Sequence, residues 1–137
     1  MNRQIKFRVW DVEQNKFLSS YADKGIEFYH EQGKDWHEKQ VRDIVPVSWF
    51  LQDHNNNLEN YIVTQYTGLN DKNGKEIYEG DILEWKGEFI AEVFFEKENA
   101  AFVIKSKKGG KAFMSENYAL NFQIIGNIFE HKHLLEK

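Results

Sequence analysis

Two acidic side chains that flank a glycine are the first candidates for chemistry in this sequence. Glu79 and Asp81 stand on either side of Gly80, in a stretch rich in turn-forming residues. Two carboxylates can share acid and base roles in hydrolysis when a partner base is positioned with them. No such base accompanies this pair, and two acids beside a turn are common on protein surfaces. The spacing therefore favours a structural turn over a hydrolytic site.

A histidine pair near the end of the chain is the candidate set of metal ligands. His131 and His133 would face the same side of a strand, and Glu130 could add a carboxylate. A zinc site needs at least three protein ligands in fixed positions, whereas chain ends fray. We therefore predict solvated histidines and no metal site.

The sequence lacks the residue patterns on which nucleophilic catalysis usually depends. The chain has no cysteine, which excludes disulfides, thiolate zinc sites and cysteine nucleophiles. None of the serines is flanked by the glycines of a nucleophile elbow, and Gly109, Gly110 and Lys111 lack the spacing of a phosphate-binding loop. We predict that the protein is not an enzyme and that it carries no cofactor.

An acidic strand with apolar residues between its acids is the candidate interaction surface. Residues 88–96 alternate with period two, which predicts a strand, because a helix would stack three glutamates at a repulsive spacing of four residues. The apolar odd positions 89, 91, 93 and 95 would fill a core, leaving Ile90 and Phe94 among glutamates. An apolar pair rimmed by charge is typical of an interface, although residues 1–60 could equally cover it. The surface consists of Glu88, Ile90, Glu92, Phe94 and Glu96.

A lysine-rich stretch is the candidate nucleic-acid contact. Phe102 or Phe113 could stack on bases beside it, as in small barrels that bind single strands. However, eight acids and two lysines lie between Glu76 and Glu98, a local net charge of −6. The lysines therefore also fit a solvated loop that protects a sheet edge. They are Lys105, Lys107, Lys108 and Lys111.

The composition is that of a folded protein that stays where it is made. The chain has 137 residues, 41% of them hydrophobic and 15% aromatic, with a net charge of −4. Disordered segments combine few aromatics with a high net charge. No uninterrupted apolar run reaches the length of a signal peptide core or a membrane-spanning helix. We expect a cytoplasmic protein without membrane contact.

The elements that would position these residues are mainly strands. Several short runs rich in β-branched and aromatic residues alternate with turns, which indicates a small antiparallel barrel or sandwich. We predict an SH3-like barrel in the C-terminal half with a β-rich N-terminal portion packed on it. One minor helix is predicted over residues 36–43, capped by Asp35 and ended before Pro46.

Four turn residues are predicted to be structural. Asn73 and Gly74 form the strongest short hairpin signal, because both tolerate a positive φ. Gly80 allows a sharp corner, and Gly126 marks a bulge inside a strand. Backbone geometry is sufficient to explain these residues without any chemistry.

Three stretches of the chain form an ordered set of motifs: residues 6–11 (KFRVWD), residues 65–82 (QYTGLNDKNGKEIYEGDI) and residues 125–130 (IGNIFE). In this order they resemble the YopX-like family of bacteriophages and prophages of Gram-positive bacteria. The resemblance implies a mainly β, phage-associated protein and no established activity.

These observations predict one domain over residues 1–137, with an N-terminal β-rich portion (1–67) and a β-barrel portion (68–137). The first functional hypothesis is a non-catalytic protein-interaction module that acts as a homo-oligomer. The alternative is a nucleic-acid-binding accessory protein of phage replication or recombination. A partner among phage or host proteins is expected, but no residue identifies it.

Overall fold

The structure is a computed structural model that describes residues 5–18, 20–21, 25–32, 39–45 and 61–136. The chain divides into an N-terminal unit of residues 6–63 and a C-terminal unit of residues 64–137 with residues 1–5. Strand β6 (Tyr61–Asn70) crosses from one unit into the other. The described elements are mainly antiparallel strands, which confirms the predicted fold class.

The N-terminal unit begins with a hairpin of β1 (Phe7–Asp11) and β2 (Lys16–Phe17). Trp10 and Phe17 are opposite each other in this pair, and their rings meet edge to face with centroids 4.9 Å apart. The guanidinium of Arg8 lies 4.6 Å from the Phe17 ring centroid. The Oδ1 atom of Asp11 accepts the backbone N–H of Gln14, which closes the turn between the strands.

Three further described strands of the N-terminal unit form a sheet in the order β3-β4-β5. Its strands are β3 (Ser20–Tyr21), β4 (Gly25–Gln32) and β5 (Lys39–Val45). The predicted helix over residues 36–43 is wrong where the structure describes it, because residues 39–43 belong to β5. Seven residues of β5 pair with β4, and this pairing outweighs a local capping signal. Residues 36–38 lie outside the described residues.

The C-terminal unit is built on a five-stranded antiparallel sheet in the order β11-β10-β9-β8-β12, curled into a half-barrel. A short pair, β6 with β7 (Glu76–Tyr78), precedes it in the chain. The sheet contains β8 (Asp81–Trp85), β9 (Phe89–Glu96), β10 (Ala101–Ser106), β11 (Lys111–Phe113) and β12 (Gln123–Asn127).

One face of this sheet carries the core of the C-terminal unit. The odd positions of β9 supply Ala91 and Val93, both fully buried, and they meet Leu83 and Ile104 of the neighbouring strands. Alternation with period two places every second residue on one face of a sheet, so the alternating sequence of β9 leads directly to this core. Its other buried members are Ile77, Ala119 and Phe122.

Three short helical segments complete the C-terminal unit. Glu116–Ala119 forms one helical turn, and Ser115 caps it by accepting the backbone N–H of Tyr118 on its hydroxyl. Lys97–Asn99 and Lys132–Leu135 are 3₁₀ turns. In the described part of the chain, no helix is long or apolar enough to span a membrane.

Candidate functional site

A cluster of exposed aromatic side chains at one end of the five-stranded sheet is the main candidate site. These side chains line a cavity of about 280 Å³. We name this cavity the aromatic cleft and define it by six lining residues: Trp85, Phe89, Ile104, Ala112, Tyr118 and Phe122.

The hairpin between β8 and β9 places two of these rings together. Trp85 is opposite Phe89, so the loop contains residues 86–88 and both side chains point to the core face. Lys86 and Gly87 take positive φ values of 55° and 71°, which allows the chain to reverse in so few residues. The two rings lie beyond the last core residues of their strands, and Trp85 remains 41% exposed and Phe89 36% exposed.

Phe122 is the buried base of the cleft. Its ring centroid lies 5.9 Å from that of Phe89 and 6.5 Å from those of Trp85 and Tyr118. Phe122 is 2% exposed, whereas Tyr118 on the short helix is 47% exposed. Asn121 stands at the rim and donates its side-chain amide to the carbonyl of Asn117. A fixed aromatic floor therefore supports three rings that face solvent.

Sequence reasoning missed this cleft because it assigned every odd position of β9 to the interior. The structure buries Ala91 and Val93 but leaves Phe89 and Phe95 exposed at the two ends of the strand. The available signal was the hairpin Trp85 to Phe89, in which an aromatic residue stands on each side of a tight loop. A hairpin tip extends past the core, so aromatics there are partly exposed.

The predicted acidic surface lies on the opposite face of β9. Ile90 and Phe94 are half-buried there. Glu92 is opposite Lys105 on β10, and burial raises the pKa of Glu92 although Lys105 and Lys132 oppose the rise. Glu88 is exposed in the hairpin loop.

Glu96, at the end of the same strand, takes part in an ion pair. Its carboxylate accepts from the Lys111 ammonium at 2.9 Å and from the Asn99 amide. These two donors hold the pKa of Glu96 below its usual range. The carboxylate is therefore committed to contacts within the chain.

The four predicted nucleic-acid lysines are divided between two environments. Lys105 and Lys111 lie beside glutamates, as described above. Lys107 and Lys108 belong to the turn between β10 and β11, and within the described residues their ammonium groups make no ion pair. We call residues 107–110 the lysine turn. Phe102 packs on Phe95 with ring centroids 5.3 Å apart, and Phe113 is 59% exposed at the edge of the sheet.

The acidic pair beside Gly80 is part of a corner in the backbone. Asp81 is 2% exposed, and its Oδ2 atom accepts the N–H of Tyr78 at 2.8 Å. Gly80 has a φ of 90°, and its N–H and carbonyl bond to Val93 and Ile128 respectively. The backbone N–H of Glu79 donates to the carbonyl of Gln65.

The turn at residues 71–75, which we call the Asp71 turn, is organised by a buried carboxylate. Asp71 is 2% exposed. Its Oδ1 accepts the N–H groups of Asn73 and Lys75, and its Oδ2 accepts the N–H of Ile124, all between 2.9 and 3.0 Å. Gly74, with a φ of 81°, completes the turn by donating to the Asp71 carbonyl. The carboxylate thereby attaches the turn to strand β12.

The C-terminal histidines are arranged around Gly126. The register of β12 against β8 shifts between Ile124 and Gly126. A Cβ atom at Gly126 would lie 2.7 Å from the His131 ring. The Nδ1 atom of His131 accepts the N–H of Asn127, and the ring centroids of His131 and His133 are 6.3 Å apart. In the described residues, no group of three or more acidic or histidine side chains has the arrangement of a metal site.

Comparison with known proteins identifies the family. No curated protein matches the chain. The crystal structure of protein EF1440 from Enterococcus faecalis is similar, with a TM-score of 0.54 and 25% sequence identity over 96% of this chain and 98% of that one. The family model described as YopX protein matches residues 6–136, so the chain belongs to the YopX family.

Proposed function

We propose that this protein is a non-catalytic protein-interaction module and that the aromatic cleft is its binding surface. The observation that carries the proposal is the grouping of Trp85, Phe89 and Tyr118, each more than a third exposed, around one cavity. Exposed apolar patches of this kind mark binding surfaces. By contrast, the buried carboxylates of Asp71 and Asp81 accept backbone N–H groups, which supports a structural role for the acids.

The dimensions of the cleft suit one bulky apolar side chain of a partner. Tyrosine and tryptophan are enriched at the centres of protein interfaces, where they provide large contact areas with few rotatable bonds. Burying one leucine-sized side chain contributes about 1.5–3 kcal/mol. Because Phe122 and Ile104 form a packed floor, little of this free energy is lost in ordering the site.

Selection from a displayed random-peptide library against the full chain tests the proposal. We expect enriched peptides with a bulky apolar residue, and we expect Trp85→Ala to weaken their binding at least tenfold. Phe95→Ala is the matched control, because Phe95 is 42% exposed near the other end of β9 and outside the cleft, so its removal should leave binding within twofold. Failure to enrich any peptide that depends on Trp85 would contradict the proposal.

We also propose that the protein self-associates. On the face of the sheet opposite the core, Phe94, Val103 and Phe113 form a row across three strands, because Val103 is opposite Phe94 on one side and Phe113 on the other. Val103 is buried, and Phe113 at the edge of the sheet is 59% exposed. This row includes Phe94, one of the two apolar residues of the predicted acidic surface, and it ends at the exposed ring of Phe113.

Light scattering across a concentration series tests self-association. We expect the wild type to exceed the mass of one chain and Phe113→Ser to reduce that mass toward 16.3 kDa. Ile62→Ser, at a comparably exposed apolar position in the N-terminal unit, serves as the control. A wild type that stays monomeric at millimolar concentration would contradict self-association.

Nucleic-acid binding is the second candidate function, and the lysine turn favours it. Lys107 and Lys108 lie beside Phe89, which would combine phosphate contact with base stacking. Fluorescence anisotropy with labelled single-stranded DNA over a salt series tests this candidate. Binding should be strongest at low salt because of counterion release, and its absence there would exclude the candidate.

We propose that the protein acts in the cytoplasm of a bacterium that carries the corresponding phage or prophage. The resemblance of residues 65–82 to a phage-associated family supports this setting. Examination of the neighbouring genes and fractionation of infected cells would test it. Neighbouring genes without phage character, or protein recovered outside the cytoplasmic fraction, would contradict it.

A further inference from the structure

The aromatic cleft shares a wall with a second depression that carries positive charge. This second depression has a volume of about 200 Å³ and is lined by residues of β9 and its preceding loop, by the last residue of β10 and by the lysine turn. Phe89 lines both cavities. An apolar position and a cationic position are therefore separated by a single ring. The lining residues are Glu88, Phe89, Ile90, Ser106, Lys107 and Lys108.

The backbone of the lysine turn is held in place beside this ring. The N–H of Lys107 donates to the carbonyl of Ile90 at 2.8 Å, and the N–H of Lys108 donates to the Ser106 hydroxyl at 3.1 Å. Gly109, with a φ of 107°, donates to the Ser106 carbonyl. These bonds fix where the two lysine side chains begin while leaving their ammonium groups available.

A third lysine lies beside the Trp85 ring of the cleft and lines neither cavity. The Nζ atom of Lys86 lies 5.0 Å from the centroid of the Trp85 ring, within cation–π distance. The residues that line the two cavities include two lysines and one acid, Glu88, so the net charge of the lining is +1 in a chain whose total is −4. This local reversal of charge favours a ligand with negative groups next to an apolar one.

We propose that the ligand of the aromatic cleft is a short acidic segment of a partner protein. A bulky apolar side chain of that segment occupies the cleft, and neighbouring carboxylates contact Lys107 and Lys108. This inference rests on the function proposed above and adds the chemical class of the partner. A continuous nucleic-acid strand fits less well, because its regularly spaced phosphates would also meet Glu88 and the glutamates of β9, whereas a peptide can place its carboxylates at the two lysines alone.

The peptide library selection, read for charge, tests the inference. Peptides selected against the full chain should carry aspartate or glutamate within three positions of the apolar residue. Their affinity should fall as salt rises, because solvent-exposed charge pairs are screened. The double variant Lys107→Glu/Lys108→Glu should weaken these peptides at least tenfold at low salt. In a new selection, it should instead enrich basic peptides.

A second double variant, Lys75→Glu/Lys97→Glu, changes the net charge by the same amount at exposed positions of the same unit that line neither cavity. It should leave peptide affinity within twofold. Circular dichroism on both variants establishes that each is folded before its affinity is compared.

Failure of the inference and failure of the proposed function give different results. Peptides that require Trp85 but show no acidic preference would overturn the inference and leave the interaction module intact. Absence of any peptide that requires Trp85 would overturn both. A labelled 20-nucleotide single strand that binds and displaces the selected peptides would reassign the site to nucleic acid and overturn the inference.

Discussion

The Asp71 turn and the aromatic cleft lie in the same unit, but only the side chain at the turn finds all its partners within the chain. At the Asp71 turn, a buried carboxylate accepts three backbone N–H groups, so its polar atoms are satisfied within the chain. At the cleft, Trp85, Phe89 and Tyr118 keep a large part of their apolar surface in water. The first region is complete on its own, and the second gains free energy when another molecule covers it.

The comparison shows that the residues that carry the family resemblance are not the residues that are exposed for binding. Residues 65–82 carry the family resemblance, and they contain Asp71, Gly80 and Asp81. Each of these three forms a turn or a corner through hydrogen bonds to backbone atoms. In the described residues, no buried side-chain nitrogen or oxygen lacks a partner. These three residues therefore stabilise the fold. The candidate binding surface begins just after residues 65–82, at Trp85.

Asp71→Ala should have the largest effect on stability. It leaves the N–H of Ile124 without its acceptor and removes the acceptor of two N–H groups in the turn. Each unsatisfied buried group costs about 1–3 kcal/mol, so we expect a loss of about 3 kcal/mol or more. Urea denaturation followed by circular dichroism measures the free energy of unfolding.

Asn73→Ala is the control for this prediction, because Asn73 contributes its backbone N–H and its side chain is exposed. It should change stability by less than about 1 kcal/mol. Equal losses in the two variants would mean that turn propensity, rather than the carboxylate, holds this region together.

Gly126→Ala should be the next most damaging change. The added methyl group would lie 2.7 Å from the His131 ring, and overpacking of this kind costs about 1–3 kcal/mol. The double variant Gly126→Ala/His131→Ala removes the obstructing ring and should recover part of the loss. Thermal denaturation of the two single variants and the double variant gives the coupling. Strict additivity would contradict the proposed contact.

Trp85→Ala should affect binding far more than folding. The indole is 41% exposed, so its removal should cost no more than about 1.5 kcal/mol, below the range for a fully buried aromatic. Binding of the selected peptides should fall at least tenfold. Urea denaturation measures the loss of stability, and fluorescence anisotropy with a labelled peptide measures the loss of binding on the same preparation. A loss of stability above 3 kcal/mol would mean that the ring is a structural element instead.

The smallest effect concerns Glu92 and pH. Burial raises the pKa of Glu92 in the folded state, so the ionised carboxylate is disfavoured on folding. This penalty is absent below the unfolded pKa and develops as pH rises through the folded pKa. Glu92→Gln should therefore be slightly more stable than wild type at pH 7 and lose that advantage toward pH 4. Urea midpoints across this range measure the trend, and the opposite slope would contradict it.

The sequence predicted strands well because their patterns are local. The alternation over residues 88–96 specifies strand geometry without long-range information, and Gly74 takes the positive φ that the hairpin signal predicts, whereas Asn73 does not. The helix prediction failed at residues 39–43, because pairing between β4 and β5 outweighs the capping signal of Asp35. It also missed the short helix Glu116–Ala119, which is too brief to show helical periodicity.

The aromatic cleft could not be derived in the same way. Its walls come from the β8–β9 hairpin, from β10 and β11, and from the segment that contains Tyr118 and Phe122. Only the folded sheet brings these parts together. Alternation gives the face on which a residue lies, but it does not give how far the core extends along that face. For this reason Phe89 was predicted to be buried.

A nuclear magnetic resonance titration tests the central claim most directly. Uniformly ¹⁵N-labelled protein is titrated with a selected acidic peptide, and the amide and indole resonances are followed. The account predicts that the Trp85 indole and the amides of Phe89, Lys107 and Tyr118 shift, while those of residues 73–75 do not. Shifts confined to the Asp71 turn, or spread evenly over the sheet, would contradict it.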